Sequence, residues 1–157
     1  MILIDNTVLS NFALIGELNL LQDYSKGKGA ITDYVLAEFE RGVKEGIFIN
    51  TNLDWLEVLT LVEYKEKFLF EILCKRLGAG ESSCLAISIS RRYDLLSDDM
   101  AVRKIAMREG IRLSGSIGVL LELIRINGIS AEKGNTILKG FIKHGYFSPS
   151  DKLDELL

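Results

Sequence analysis

Five acidic residues in this sequence have types and positions that could support metal chemistry. Asp5 follows a short apolar run, the pair Asp98 and Asp99 follows a second one, and Glu38 and Glu81 fall early in segments with helical patterning. A charged residue directly after an apolar strand is costly unless it faces solvent or a cation. Carboxylates without a neighbouring histidine or thiolate are hard oxygen ligands, which suit Mg²⁺ or Mn²⁺.

Gathered in one place, such carboxylates would repel one another and raise one another's pKa, and a divalent cation would remove that penalty. Two ions roughly 3.5–4 Å apart could activate water and stabilise the leaving oxygen of a phosphodiester. Polar residues near the acids could orient water or phosphate, and two cations could neutralise a phosphate backbone. The polar candidates are Asn6, Thr7, Ser97 and Ser116, and the cations are Arg103 and Lys104.

Each acid also has a simpler structural interpretation. Glu81 could complement the dipole of its helix, which is worth ~0.3–1 kcal/mol. Glu38 could be a solvated helix residue, with Glu40 as a competitor for any role, and Asp98 could be only a helix cap. Asp5 is the hardest to explain in structural terms alone, because it ends the first strand.

The sequence holds few residues that could form other classes of metal or catalytic site. Cys74 and Cys84 lack CxxC spacing and His144 is the single histidine, which excludes a Cys/His zinc site with its four ligands. A Ser-His-Asp hydrolase would need His144 as its base, yet this residue lies at a lysine-rich helix end. The sequence therefore predicts a surface histidine and two reduced cysteines in the core.

The bulk properties favour one folded domain over residues 1–157. Apolar residues make up 48% of the chain, and no apolar run approaches the roughly 18–20 residues that cross a bilayer. With no signal-peptide pattern, we expect a cytoplasmic protein. A net charge of −3 does not favour a nucleic-acid binder, although six arginines and lysines concentrate positive charge between residues 91 and 112.

Apolar runs alternate with helical patterns along the chain, which predicts an α/β domain with a central parallel sheet of four or five strands and helices on both faces. Ligands of such sheets bind beyond the carboxyl ends of the strands, where the acids are expected to meet. A loop is favoured at residues 47–59 by Asn50, Asn52 and Asp54, with Trp55 packed over the core. Predicted strands cover 1–4, 30–32, 94–97 and 111–114, and predicted helices cover 8–24, 33–41, 61–77, 81–92, 100–109, 117–126, 131–143 and a capped turn from 148.

The order of these pieces resembles the PIN-domain nuclease family over nearly the whole chain. It is most similar to a subgroup in which Asp-Asp is followed by Ala-x-Arg-x-x-Ala, then by a Gly-x-x-Leu segment and a C-terminal Gly-Phe/Tyr-x-x-Ser run. The matching segments are 2–7, 35–38, 77–81, 95–99, 98–106, 118–121 and, one residue short, 145–148.

The resemblance implies a Rossmann-like fold and a Mg²⁺- or Mn²⁺-dependent ribonuclease directed at single-stranded RNA. Many relatives are toxins of toxin–antitoxin pairs and dimerise, which implies an antitoxin protein and a homodimer as partners. By position, the resemblance assigns the acidic site to Asp5, Glu38, Glu81 and Asp99, with Asp98 as a further metal ligand.

One segment departs from the family pattern. Many PIN nucleases carry a further acid where this chain has Ser114, Gly115 and Ser116. The departure leaves open whether the site holds one metal or two. It also favours, together with the acidic net charge, an alternative in which the domain binds RNA or a protein without cutting. A phosphoacceptor domain with Asp5 as nucleophile is disfavoured, because the haloacid-dehalogenase type of site needs a second Asp where Thr7 stands.

Overall fold

A computed structural model describes residues 1–49 and 51–157, and within them five strands form one parallel sheet. The strands are β1 (Ile2–Ile4), β2 (Gly29–Thr32), β3 (Glu57–Leu59), β4 (Asp94–Leu96) and β5 (Leu113–Ser114). The helices are α1 (Asn6–Leu14), α2 (Leu18–Ser25), α3 (Asp33–Lys44), α4 (Tyr64–Leu73), α5 (Ala79–Arg91), α6 (Met100–Arg108), α7 (Ser116–Arg125) and α8 (Ala131–Lys143), with a 3₁₀ turn at Leu153–Glu155.

The sheet has the order β3-β2-β1-β4-β5, and every neighbouring pair is parallel. The chain moves outward from β1 in one direction to β2 and β3, then returns to the other side of β1 for β4 and β5. Right-handed crossovers place the helices of these two halves on opposite faces of the sheet. The predicted α/β, Rossmann-like architecture is therefore confirmed, and the strand order reverses between β1 and β4.

The core lies on both faces of the central strands. Leu3 and Ile4 of β1 and Leu95 of β4 are fully buried, as expected of strands covered on both sides. Helix α5 is buried along nearly its whole length and includes Cys84. The prediction for Cys74 was wrong, because this cysteine occupies the C-cap position of α4 and is exposed.

Three predicted segments have different bounds. A single helix over residues 8–24 was wrong: Gly16, at a φ of +72°, separates α1 from α2. The helix expected over 61–77 begins only at Tyr64, where Glu63 and Glu66 form a capping box. No helix begins at Pro149, because the Ser148 and Ser150 side chains bond to backbone within the segment 148–152. In the part of the chain that the structure describes, the next helical turn is the 3₁₀ turn that starts at Leu153.

The region predicted as a loop at 47–59 contributes an edge strand, β3, which pairs with β2. Trp55 packs partly buried against the core, as predicted, and Asn50 lies outside the described residues. Gly134 and Gly140 allow close packing, since an added Cβ would lie 2.8 Å from Ile124 and 3.1 Å from Ile15, respectively. In the described ranges, no helix is both long and apolar enough to cross a bilayer.

Candidate active site

A cavity of about 470 Å³ opens beyond the carboxyl ends of β1 and β4, where the strand order reverses. Open α/β sheets bind ligands at such a switch point. We call it the carboxylate cavity. It is lined by Asp5, Asn6, Thr7, Ser10, Asn11, Glu38, Glu81, Asp98, His144, Gly145, Tyr146 and Phe147.

Asp5 lies at the centre of this cavity and is only 1% exposed. It is the N-cap of α1: one carboxylate oxygen accepts the backbone N–H of Asn6 at 2.8 Å. The other oxygen accepts hydroxyl protons from Ser97, at 2.8 Å, and Thr7, at 3.1 Å. Burial raises the pKa of Asp5 from 3.8 to about 6, although these three hydrogen bonds lower it, and the charge of Glu38 adds to the rise.

Glu38 reaches the cavity from α3, and its position depends on a glycine in α5. The backbone N–H of Gly80 donates to Glu38 Oε1 at 3.2 Å. A Cβ added at Gly80 would lie 2.5 Å from the same oxygen and displace the carboxylate. The absence of a side chain at Gly80 therefore makes room for Glu38 beside the start of α5. The competing Glu40 is exposed on α3 and does not line the cavity.

Glu81 and Asp99 lie on neighbouring helix starts and repel each other. Glu81 is in the first turn of α5, and Asp99 is the N-cap of α6, with its Oδ1 accepting the N–H of Val102 at 2.9 Å. Burial raises the pKa of Glu81, and the charges of Asp99, Asp5 and Glu38 act in the same direction. Asp99 is therefore part of the acidic cluster, although it does not line the cavity itself.

Asp98 differs from Asp99 because both of its oxygens are engaged. Oδ1 accepts the N–H of Ser116 at 2.8 Å, and Oδ2 accepts the Ser116 hydroxyl at 2.5 Å and the Asn11 amide at 3.0 Å. These bonds hold the carboxylate over Gly115, where an added Cβ would lie 2.4 Å from Oδ1. The segment in which many PIN nucleases carry a further acid is thus in direct contact with Asp98.

The polar residues expected to contact substrate have two kinds of position. Asn6 and Thr7 line the cavity, whereas Ser97 and Ser116 are fully buried and hold the Asp5 and Asp98 carboxylates. Arg103 approaches the Ser97 carbonyl at 3.5 Å. Lys104 is exposed on α6. Among the described residues that line the cavity there is no lysine or arginine.

The segment after α8 forms a wall of this cavity that was not predicted from the sequence. His144 is exposed, as predicted, yet it lines the cavity together with Gly145, Tyr146 and Phe147. Burial, with Asp98 nearby, raises the pKa of Tyr146 to about 12, so this phenol stays neutral. The signal was the aromatic pair at positions 146 and 147, just after a helix, but its distance in sequence from the acids concealed the contact. Asn11, one turn beyond Thr7 on α1, was also missed.

The carboxylates of the cavity have the chemistry of a divalent-cation site, but they do not surround one completely. Asp5 and Glu81 have raised pKa values and no ion pair among those in the described part of the chain. In residues 1–49 and 51–157, no group of three or more Asp, Glu, His or Cys side chains is already arranged to hold a metal ion. The oxygen donors fit Mg²⁺ or Mn²⁺ by type, and repulsion accounts for an open arrangement without the cation.

Comparison with known proteins gives the same fold. The solved structure of PAE2754 from Pyrobaculum aerophilum superposes with a TM-score of 0.52, covering 79% of this chain and 96% of that chain at 15% identity. No curated protein is similar enough in sequence to match. The PIN-domain family matches the sequence over residues 1–157, and PIN domains are generally nucleases that use divalent metal ions. The chain belongs to the PIN-domain family.

Proposed function

We propose that this protein is a Mg²⁺- or Mn²⁺-dependent endoribonuclease that cleaves single-stranded RNA at the carboxylate cavity. The observation that carries the proposal is the crowding of acids whose charges the chain does not neutralise. Burial raises the pKa of Asp5 and of Glu81 at the switch point of the sheet. The charge of Glu38 adds to both shifts, and the charges of Asp99 and Asp5 add to that of Glu81. A buried charge without a partner is retained only where something else neutralises it.

Asp5, Glu81 and Asp99 are the residues that would hold the metal, with Glu38 as the fourth acid. When bound, the cation supplies Lewis acidity and a water of lowered pKa for attack on a phosphodiester. Ser97 and Thr7 fix the rotamer of Asp5, so that its oxygens keep their direction toward the cavity. Asp98 and Asn11 tie α1 to the start of α7 and so hold one side of the cavity in place.

The test is cleavage of a fluorescent single-stranded RNA with Mn²⁺, with Mg²⁺ and with excess chelator. Asp5→Asn should lower the cleavage rate at least about 100-fold, because even outer partners of metal ligands contribute 10- to 100-fold. Asp94→Asn is the matched control, since Asp94 begins β4 at the opposite edge of the sheet and pairs with Arg112. Cleavage that persists in Asp5→Asn with chelator present would refute the proposal.

A second candidate function is an RNA- or protein-binding domain that does not cut. Two observations favour it: the acids are not already arranged around a metal, and the described cavity lining offers no lysine or arginine to bind phosphate. Isothermal titration with Mn²⁺ separates the two functions. The nuclease should bind Mn²⁺ at millimolar concentration or below, and the binding domain should bind none.

The physiological role within the proposal is that of a toxin, neutralised by a small antitoxin protein, acting in the cytoplasm as a homodimer. The support for this role is the family resemblance in the segment 98–106. Co-expression with the product of the adjacent gene tests it: a toxin should co-purify with that product and lose its ribonuclease activity in the complex. A neighbouring protein that neither binds nor inhibits would contradict the toxin role.

A further inference from the structure

We propose that Phe147 is a stacking platform for an unpaired base of single-stranded RNA, next to the phosphate held at the carboxylate cavity. This inference rests on the proposed function and extends it to a base-binding subsite. Phe147 is 91% exposed. Exposed apolar side chains are common, so its exposure alone carries little weight, and the argument depends on where the ring lies.

The position of Phe147 is at the boundary between two cavities. It lines the carboxylate cavity on one side. On the other side it lines a second cavity of about 460 Å³, which we call the outer cavity and which extends over Ile142 and Pro149. This volume lies within the roughly 300–1,000 Å³ of small-ligand sites. A nucleotide with its phosphate at the acids therefore has room for a base on a face of this ring.

Charge decides which part of the RNA enters the outer cavity. Its described lining includes Asp151 and Glu155 and no lysine or arginine. Two carboxylates disfavour a phosphate group there, whereas a neutral base is not repelled. The phosphodiester backbone is therefore kept toward the carboxylate cavity, where the proposed cation neutralises it, and a base is directed toward the outer cavity.

The backbone on both sides of Phe147 is anchored, although the ring is free. Gly145 turns the chain at a φ of +96°, and the N–H of Tyr146 donates to the Phe141 carbonyl at 3.0 Å. The Tyr146 ring packs edge-to-face on Phe141, with ring centroids 5.8 Å apart. After Phe147, the Ser148 hydroxyl bonds to the Ser150 backbone. A ring held on a fixed backbone loses little entropy when a base stacks on it.

Stacking on an aromatic side chain accepts every base, because every base has a π-face. A duplex keeps its bases stacked and paired, so the subsite would favour unpaired strands. Phe147 thus favours unpaired over paired RNA and does not select among the four bases. It is a binding residue and takes no part in the chemical step.

The experiment measures fluorescence-anisotropy binding of two probes with Mg²⁺, both in a Glu38→Gln background, which removes the fourth acid to slow cleavage and keeps the three proposed metal ligands. One probe is a short single-stranded RNA, and the other is a ribose-phosphate oligomer of equal length without bases. Phe147→Ala should weaken binding of the RNA about 5- to 150-fold, the usual range for one stacked base. It should leave binding of the abasic oligomer unchanged, and Phe147→Trp should retain RNA binding.

Two variants make the result specific. Phe147→Leu keeps an apolar side chain without a ring and should bind RNA as weakly as Phe147→Ala. Tyr64→Ala removes another exposed aromatic, 82% exposed on α4 and in neither cavity, and should change nothing. Equal weakening on both probes, full binding by Phe147→Ala or Phe147→Leu, or no measurable binding by the parent would each overturn the proposal.

Cleavage is measured separately in proteins with native Glu38. If RNA binding depends on Phe147 and on bases while no metal-dependent cleavage occurs, the nuclease proposal fails and the subsite stands. If cleavage occurs and Phe147→Ala leaves both RNA binding and KM unchanged, the nuclease stands and the subsite fails.

Discussion

Two buried carboxylates, Asp5 at the sheet edge and Glu66 between α4 and α5, meet opposite electrostatic conditions. Glu66 is fully buried, and the Arg91 guanidinium lies 2.6 Å from its Oε1. That hydrogen bond, assisted by the N–H groups of Val62 and Glu63, lowers the pKa of Glu66. Asp5 has hydroxyls and one N–H for partners, and burial raises its pKa to about 6.

The difference distinguishes a buried charge that the protein pairs internally from charges that it leaves without a counter-charge. At the α4–α5 contact, the chain supplies the counter-charge itself, and the pair is complete without a ligand. At the sheet edge, several acids share a small volume, and the ion pairs of the described residues include none of them. The first pair is complete within the protein, whereas the acids at the sheet edge keep a mutual repulsion that the proposed cation would relieve.

Arg91→Ala should have the largest effect on stability, because it leaves Glu66 buried and unpaired. Breaking a buried ion pair costs roughly 3–5 kcal/mol in the free energy of unfolding, and the Thr60 carbonyl also loses its 2.9 Å hydrogen bond from Arg91. Urea denaturation at neutral pH measures the loss. Because the pKa of Glu66 is lowered in the fold, its contribution is present above about pH 4.5 and lost as the pH falls through the folded pKa.

The matched control is Arg125→Ala, which removes an exposed arginine paired with the exposed Glu122. Solvent screens this pair, so the denaturation midpoint should stay unchanged within error. If Arg91→Ala proved as mild as Arg125→Ala, the guanidinium would not be what stabilises Glu66, and the contrast with Asp5 would lose its basis.

Asp5→Asn should act in the opposite direction and stabilise the metal-free protein. The shift of the Asp5 pKa from 3.8 to about 6 corresponds to about 3 kcal/mol of destabilisation when the carboxylate is charged. The amide removes the buried charge, and hydroxyls that now donate to the carboxylate can rotate to accept. With chelator at pH 7–8, we expect a gain of up to about 3 kcal/mol in the free energy of unfolding.

The stability advantage of Asp5→Asn should depend on pH. A raised folded pKa means that the native state binds more protons between about pH 4 and 6, so the stability of the parent falls as the pH rises through that window. The advantage of Asp5→Asn should vanish below about pH 4 and be complete above about pH 7. A variant that is less stable than the parent at pH 8 without metal would contradict the assignment of Asp5 as an uncompensated charge.

The architecture was largely predictable because its signals are local. Apolar runs that alternate with helical patterns predict parallel β and α elements, and the structure confirms them. Two failures came from local features that periodicity does not encode. The positive φ of Gly16 divides one apolar helical pattern into two helices, and side-chain hydrogen bonds to the backbone keep Pro149 from beginning a helix. Strand β3 was missed because two of its three residues are exposed, so it lacks a buried apolar run.

The acids of the site could be predicted as a group, because each follows a strand end or begins a helix. Their individual roles could not. Glu38 differs from Glu40 only in the face of α3 on which it lies, and the wall at His144–Phe147 is formed by a segment more than a hundred residues from Asp5 in sequence. Ser97 and Ser116 were correctly singled out as polar residues near the acids, but burial makes them partners of carboxylates.

Asp98 and Asp99 both follow β4, and exchanging each for asparagine tests the same contrast between two neighbouring carboxylates. Both oxygens of Asp98 accept hydrogen bonds, as those of Glu66 do. Asp99, like Asp5, lies near other carboxylates of the cluster. Asp98→Asn replaces one accepting oxygen by a donating NH₂ group, which must then face another donor, either the Asn11 amide or the Ser116 N–H; this should cost about 1 kcal/mol of stability. Asp99→Asn should keep stability, because asparagine caps α6 equally well.

The loss of metal-induced stabilisation should follow the reverse order, with Asp99→Asn affected more than Asp98→Asn. A cation present at about 100 times its dissociation constant stabilises the native state by ~2.7 kcal/mol. Asp98→Asn should keep most of the resulting Mn²⁺-induced rise in melting temperature, and Asp99→Asn should lose most of it, because only Asp99 contributes an uncompensated charge beside Glu81. Calorimetry with and without Mn²⁺ measures both. If Asp98→Asn were the variant that lost the response, the metal would lie on the side of Ser116, and the hydrogen bonds to Asp98 would orient a ligand rather than replace one.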